Sequence, residues 1–237
     1  MIDSHQSGGE LTLTLNRPDR ANALGSAMVE ALLEQAGRAV ADDSVQRLVL
    51  RAAGPHFCTG LDLSDLDACS DGDLLHRLVR IETLLSLLWH APMQTVAIAQ
   101  GRTWGAGADL FAACEVRVAT SGSSYRFPGA QFGIVLGTRR LAEHVGAECA
   151  RRLVTEGTQL DAAQALATGL ATHDELPDWT PLVVSPLTAS AVRRATRTDQ
   201  RDSDLAALVR SAAEPGLKQR IVDYTARLRA QHKRPPG

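Results

Sequence analysis

The feature that most constrains the fold is an apolar, β-branched run over residues 95–99 that breaks at a glycine-rich turn. The run predicts a buried strand, and residues 105–114 predict a helix that begins directly after the turn. Small residues at such a turn let a ligand touch the backbone, and the helix N-terminus offers unpaired N–H groups to an anion. Asp109 lies one turn into the helix, three residues after Ala106, so a carboxylate accompanies this backbone anion site.

Three interpretations of this stretch stay open at the level of local sequence. The pair Gly105-x-Gly107 after a strand is similar to the start of a dinucleotide-binding fingerprint. Leu110 stands where its third glycine belongs, however, and no acidic residue ends a strand about 20 residues later. An oxyanion hole is the second interpretation, and it needs another N–H donor from elsewhere in the chain. A tight strand–helix turn without a ligand is the third.

The composition argues against several classes of protein. The chain has 237 residues, 44% of them hydrophobic, which is enough for one core with appended helices. A net charge of −2 at pH 7 gives no basic field for nucleic acid, and no apolar run predicts a signal peptide or a membrane span. The four cysteines show no Cys-x-x-Cys spacing and the histidines no His-x-x-x-His pair. We therefore expect a cytoplasmic protein with reduced thiols and without a metal site.

Strand and helix patterns alternate along the chain and indicate an α/β fold. Residues 11–15 and 48–50 predict strands, and apolar stripes predict helices that begin near Ser26 and Leu74. Between them, the polar and acidic residues 64–73 predict a mobile loop. Further helices are predicted over residues 147–156, 161–168 and 184–197, with a last helix whose apolar face includes Leu217, Ile221, Tyr224 and Leu228.

Three separated segments occur in an order shared with a known family. They are Leu15-Asn16-Arg17-Pro18 with Asn22-Ala23-Leu24, then residues 57–63, then residues 101–110. Together these segments resemble the opening motif and the two oxyanion loops of the crotonase (enoyl-CoA hydratase/isomerase) superfamily. Weaker similarities follow at residues 125–141 and 162–170, so the resemblance runs from about residue 10 to about residue 195.

This resemblance implies a crotonase-like spiral of ββα units over residues 1–185 and a helical C-terminal region, residues 186–237, that forms a homotrimer or a dimer of trimers. It implies an acyl-CoA thioester as the partner, with coenzyme A as part of the substrate and no separate cofactor. By the same resemblance, the N–H groups of Leu61 and Ala106 form the oxyanion hole. The residues implied to contact coenzyme A are Ala23, Leu24, Leu61, Asp62 and Leu63.

Hydratases of this family carry two glutamates, and neither occurs here. The first falls on Asp109, the predicted acid/base group, and the second on Gly129, which has no side chain. Trp104 and Arg126 join Gly129 as candidates for the acyl pocket, Arg126 as a partner for a second carboxylate on the acyl group. A single carboxylate can serve hydration, isomerisation, decarboxylation or hydrolysis through a thioester enolate. The helix N-terminus lowers the pKa of Asp109 and burial raises it, and the sequence does not rank the two.

Two other functions stay open. The missing side chain at Gly129 fits a catalytically impaired CoA-binding or partner subunit, and a dinucleotide-binding module is disfavoured by Leu110. Asp65 and Asp67 could reach the acyl pocket from the acidic loop, although a solvated loop is the simpler expectation. His144 is expected on a helix surface.

Overall fold

The computed structural model describes residues 1–178, 180 and 182–232. The strands are β1 (Ile2–Ser7), β2 (Glu10–Leu15), β3 (Arg47–Ala52), β4 (Gln94–Ala99), β5 (Arg102–Trp104), β6 (Val116–Ala119), β7 (Ser124–Arg126) and β8 (Leu160–Asp161). The α-helices are α1 (Ser26–Ala41), α2 (Asp71–Trp89), α3 (Ala106–Ala112), α4 (Thr138–Val145), α5 (Ala147–Glu156), α6 (Ala162–Thr168), α7 (Pro186–Ala195), α8 (Arg201–Ala212) and α9 (Leu217–His232). The predicted α/β class is confirmed.

The main sheet has the order β1-β2-β3-β4-β6, antiparallel between β1 and β2 and parallel elsewhere. α1 connects β2 to β3 and α2 connects β3 to β4, since parallel neighbours need a long crossover. Side chains alternate across β3: Leu48 and Leu50 face the main core under these helices, and Val49 faces a smaller cluster with Val96 and Val118.

The single strand–turn–helix unit predicted around residues 95–110 is wrong in one respect. Between β4 and α3 the chain forms another short strand, β5, which belongs to a second sheet of order β5-β7-β8. Three residues are too few to show a period, and the strand forms by pairing with the distant strand β7. Thr103 also bridges to Cys58 in the loop after β3, and this bridge brings the two predicted oxyanion loops together.

Part of the segment predicted as a mobile loop is helical. Leu66–Ala68 forms a 3-10 helix, and α2 begins at Asp71. Ser70 and Asp73 make a capping box, in which Ser70 Oγ accepts the Asp73 N–H and the Asp73 carboxylate accepts the Ser70 N–H. Two unpaired donors of the helix are thereby satisfied within four residues.

The first C-terminal helix, α7, begins at Pro186, where the Ser185 side chain accepts the Thr188 N–H. The two helices after it are joined to the rest of the chain: Leu208 of α8 and Ile221 of α9 pack with Leu74 of α2 in a second hydrophobic cluster. The sequence pattern does not predict α8. Residues 233–237 of the predicted C-terminal region lie outside the described residues, and a role of this region in trimerisation stays a prediction. No helix in the part of the chain that the structure describes is long and apolar enough to cross a membrane.

Candidate active site

The two segments predicted as oxyanion loops lie side by side. The Cys58 N–H donates to the Arg102 carbonyl oxygen at 3.3 Å, and the Trp104 N–H donates to the Cys58 carbonyl oxygen at 2.9 Å. Gly60 then comes so close to the start of α3 that a Cβ on it would lie 3.2 Å from the Ala106 nitrogen. Residues far apart in the sequence therefore share one small region of backbone.

On its other side the first loop pairs with Leu24. The Leu24 N–H donates to the Gly60 oxygen at 2.7 Å, and the Asp62 N–H donates to the Leu24 oxygen at 3.1 Å. In a parallel bridge of this kind, the N–H of the intervening residue, Leu61, points away from Leu24. Among the described residues, neither the Leu61 N–H nor that of Ala106, the first residue of α3, has a hydrogen-bond partner.

The start of α3 is held against the first loop by glycine. A Cβ on Gly107 would lie 2.3 Å from the Cys58 oxygen, so no larger residue fits there without moving the loop. Gly105 adopts φ +54°, which lets the chain turn from β5 into the helix. Ala106 stands where the family that the sequence resembles has a glycine. The backbone accepts its methyl group without strain because the φ of Ala106 is not positive.

A cavity of about 220 Å³ opens beside these two loops. Its wall is mostly apolar and includes Leu61, Leu63, Leu78, Phe127, Phe132, Ile134, Leu136, Val154, Ile221 and Leu228. Asp109 is the one carboxylate that lines it, and no arginine, lysine or histidine among the described residues does so. The cavity therefore suits an apolar group that reacts beside a single carboxyl group.

Asp109 is 7% exposed and lies against Gly137, the residue before α4. Burial raises the pKa of its carboxyl well above the usual range, the guanidinium of Arg140 opposes that increase, and Glu82 adds to it. Burial is the largest of these influences, so the net shift of the pKa is upward. The carboxyl group is thus a stronger base, once ionised, than an exposed aspartate.

Arg140 and Glu82, whose charges act on this carboxyl group, form an ion pair with nitrogen–oxygen distances of 3.0 and 2.5 Å. Their side chains are 1% and 3% exposed, so the pair is fully buried. A second carboxylate, from Asp204 of α8, lies 3.2 Å from the Arg140 guanidinium. Arg140 therefore carries its charge among several acidic groups.

Residues 6–207 match the sequence model of the family described as enoyl-CoA hydratase/isomerase. The chain belongs to the enoyl-CoA hydratase/isomerase family. It is 37% identical over 174 residues to the probable enoyl-CoA hydratase echA6 of Mycobacterium tuberculosis, which covers 72% of this chain and 69% of that protein. It is 33% identical over 162 residues to the ethylmalonyl-CoA decarboxylase of Mus musculus, across 67% of this chain and 50% of that protein.

The family likeness extends to solved structures. A Bordetella parapertussis protein assigned to the enoyl-CoA hydratases/isomerases superposes with a TM-score of 0.90 at 39% identity, over 95% of this chain and 98% of that one. An enoyl-CoA hydratase from Bacillus halodurans gives a TM-score of 0.79 at 20% identity, over 94% and 99% of the two chains. The predicted crotonase-like fold is confirmed, and the chain is an acyl-CoA-acting enzyme of the enoyl-CoA hydratase/isomerase family.

Within this fold, most of the sequence-predicted site residues meet at the cavity. The predicted residues that line it are Leu61, Leu63, Trp104, Ala106, Asp109 and Gly129. Trp104 is oriented by its indole N–H, which donates to Ser124 Oγ at 3.2 Å. A Cβ on Gly129 would lie 3.1 Å from the Ile134 oxygen, so the position of the second hydratase glutamate has little free space at its base.

Four of the sequence-predicted residues lie outside the cavity wall: Ala23, Leu24, Asp62 and Arg126. Ala23 and Leu24 are buried beside the first loop. Asp62 holds that loop, because it pairs with Arg17 at 2.6 Å and accepts the Ser64 N–H at 2.9 Å. Arg126 donates from Nε to the Gly157 oxygen at 3.2 Å. Whether Ala23, Leu24 or Asp62 contacts coenzyme A stays a prediction.

The acidic loop contributes no carboxylate to the cavity. Asp65 makes a two-pronged ion pair with Arg77 at 2.6 and 2.7 Å, and Asp67 is exposed on the 3-10 helix. The expectation that His144 lies on a helix surface is wrong. Its Nε2 lies 2.8 Å from the Ala112 oxygen, its ring contacts Trp89, and burial lowers its pKa to about 4.

Sequence reasoning missed the part of the site that α9 supplies. Ile221, Tyr224, Thr225 and Leu228 of this helix line the cavity, although their spacing showed only that α9 has an apolar face. It also missed Asn22, which is fully buried and donates to the Ala53 and His56 oxygens at 2.9 Å each. A signal for Asn22 exists in the opening motif, where an asparagine precedes two apolar residues.

Proposed function

We propose that this enzyme isomerises 3-enoyl-CoA thioesters to 2-enoyl-CoA thioesters through an enolate. The observation that carries the proposal is the convergence of two backbone donors and one buried carboxyl group on one apolar cavity. The Leu61 and Ala106 N–H groups would hold the thioester oxygen, and Asp109 would move the proton. Hydrogen bonds of this kind strengthen as negative charge develops on the oxygen, and removing one donor typically costs ~3 kcal/mol of barrier.

The proposed steps need one acid/base group. The Asp109 carboxylate removes a proton from Cα, and the electrons of that C–H bond enter the conjugated enolate. The resulting carboxylic acid then returns the proton to Cγ while the double bond moves from Cβ–Cγ to Cα–Cβ. No atom is gained or lost, so no cofactor is required.

Hydration fits the wall of this cavity less well. It needs a group that activates water as well as a proton donor, and Asp109 is the one carboxylate among the described lining residues. Tyr224 is the other titratable group in the wall, and burial raises its pKa, which makes it a poor base at neutral pH. The cavity therefore supports a reaction that one carboxylate completes alone.

The test is incubation with CoA thioesters in D₂O, with the products followed by mass spectrometry and by the absorbance of the conjugated thioester. We expect 3-enoyl-CoA to yield 2-enoyl-CoA with deuterium at Cα or Cγ, and the exchange to disappear in Asp109→Asn. Asp65→Asn is the matched control, because it makes the same change to a carboxylate outside the cavity. Formation of 3-hydroxyacyl-CoA from 2-enoyl-CoA, or loss of CO₂ from a malonyl-type thioester, as the faster reaction would contradict isomerisation.

The absence of a side chain at Gly129 favours one other candidate, a CoA-binding subunit without activity of its own. Binding of CoA with no exchange or turnover of any thioester would replace the proposed function by this one. Assembly as a homotrimer or a dimer of trimers is part of the proposal, and light scattering of the purified chain tests it.

A further inference from the structure

A buried ion pair between Glu82 and Arg140 acts on Asp109 next to an otherwise apolar cavity. Glu82 comes from α2 and Arg140 from α4, so the ion pair ties together the two helices that pack on α3. Breaking a buried pair of this kind is strongly destabilising, whereas replacing both partners is often neutral, so the pair is weak evidence for stability alone.

Arg140 stands close to Asp109 because of the way α4 begins. The Asp109 carboxylate lies against Gly137, the residue before α4, and Arg140 is the third residue of that helix. Both N–H₂ groups of Arg140 are engaged, one by Glu82 and the other by Glu82 and Asp204. Its Nε is buried without a hydrogen-bond partner among the described residues. The Arg140 guanidinium thus pairs with the carboxylates of Glu82 and Asp204 and also acts on that of Asp109.

The other charged groups around α3 are already committed. On α4, Arg139 pairs with Asp204 and Glu143, and burial leaves His144 neutral at ordinary pH. On β5, Arg102 lies over the ring of Trp104. β4 carries no charged residue, and Tyr224 is the one titratable group among the described α9 residues that line the cavity. Glu82 and Arg140 remain as the charges that act on Asp109.

We propose that Glu82 and Arg140 are positioning residues that set the pH at which Asp109 becomes competent to remove a proton. Arg140 favours the ionised carboxylate of Asp109, and Glu82 opposes it. Their balance sets the pH below which kcat/KM falls because Asp109 is protonated, which is the acid limb of the pH profile. The inference rests on the proposed function, since it concerns the same carboxyl group. It also gives α8 a part in the chemistry, because Asp204 shares the guanidinium.

The test compares pH profiles of kcat/KM for two single variants with opposite expected signs. Glu82→Gln removes a negative charge and keeps a hydrogen-bond acceptor for Arg140, so the acid limb should move to lower pH. Arg140→Gln removes the positive charge and leaves Glu82, so the limb should move to higher pH. Each shift should be on the order of one pH unit, the effect of one nearby charge.

A purely structural pair would lower the melting temperature in both variants without moving the limb in opposite directions. The matched control is Glu30→Gln, because Glu30 pairs with Arg80 of α2 through the same two-pronged geometry at 2.6 and 2.7 Å but at the surface. Its profile should coincide with that of the unaltered enzyme. If Arg140→Gln does not fold, the double variant Glu82→Gln/Arg140→Gln should fold. The acid limb of its kcat/KM profile should then lie at higher pH than the acid limb of Glu82→Gln.

A second readout does not depend on turnover. The carboxyl carbon of Asp109, followed by ¹³C NMR in the full chain and assigned by its loss in Asp109→Asn, should titrate at lower pH in Glu82→Gln. If neither the titration of Asp109 nor the acid limbs of the kcat/KM profiles change in the variants, this inference is wrong and isomerisation is unaffected. Shifted titration without turnover of any thioester would overturn the proposed function and leave the electrostatic inference standing.

Discussion

The carboxylate of Asp109 lies directly against Gly137, so that a Cβ on that glycine would come within 2.4 Å of Asp109 Oδ1. Gly137 precedes the first residue of α4 and has φ +65°. Its missing side chain thus makes the space in which the proposed acid/base group sits. This contact joins two segments, residues 101–110 and 137–141, that the sequence shows only as separate similarities.

Gly137→Ala should therefore damage activity more than stability. The methyl group would displace the Asp109 carboxylate, and a misplacement of about 1 Å can cost roughly a hundredfold in rate. The positive φ adds a destabilisation of about 1–2 kcal/mol. Steady-state kinetics with 3-enoyl-CoA and chemical unfolding measure the two effects separately.

Gly146→Ala controls for the backbone contribution. Gly146 has φ +81°, and no neighbouring atom of the described residues lies within 4 Å of the place that the added methyl carbon would take. Because ψ of Gly146 is 153°, a conformation nearly restricted to glycine, the variant should lose at least as much stability and still keep its activity. Equal activity in the two variants would show that Gly137 does not position Asp109.

Ala106→Pro should remove one of the two proposed oxyanion donors while preserving α3. Proline lacks an N–H group and is well tolerated at the first residue of a helix, which Ala106 is. We expect kcat to fall about 10²–10³-fold, as for the loss of other oxyanion donors, with little change in the affinity for CoA. Kinetics together with calorimetric titration of CoA distinguish this result from general damage, which would weaken binding as well.

Asp109→Asn should raise stability as it abolishes proton transfer. Folding raises the pKa of the Asp109 carboxyl. The free energy of unfolding of the protein therefore falls as pH rises from the unfolded pKa of this group, about 3.9, to its folded value. The asparagine variant escapes that loss, so its advantage in melting temperature should grow with pH from about pH 4 upward. Thermal unfolding at a series of pH values measures this, and an advantage that shrinks with rising pH would contradict the raised pKa.

Gly129→Glu should add a second carboxylate to the cavity and introduce some hydration of 2-enoyl-CoA. The φ of Gly129 is not positive, so the backbone accepts a side chain, although Ile134 must yield a few tenths of an ångström to a Cβ at 3.1 Å from its oxygen. Mass spectrometric detection of 3-hydroxyacyl-CoA checks the gain. Ala130→Glu, at the neighbouring lining residue, is the control and should add none.

Much of the fold could be predicted because its signals are local. The apolar stripes of α1 and α2 and the alternation of Leu11, Leu13 and Leu15 follow from short-range periodicity. β5 and α8 could not be predicted in this way, because three residues show no period and α8 owes its place to packing on α2. The anion site at Ala106 with Asp109 beside it was indicated by the local strand–turn–helix pattern, whereas Leu61 as the second donor was found only through a resemblance in the order and spacing of distant segments.

The sequence by itself determined the α/β class, the two glycine-rich loops and the presence of one aspartate where the family has a glutamate. Only the tertiary structure decided what surrounds that aspartate: Gly137 at its oxygen, the Glu82–Arg140 pair that acts on it and α9 across the cavity. The physical reason is that burial and charge act through space. The pKa of Asp109 depends on groups that lie 27 residues before it and 31 residues after it in the chain, and no local pattern specifies such distances.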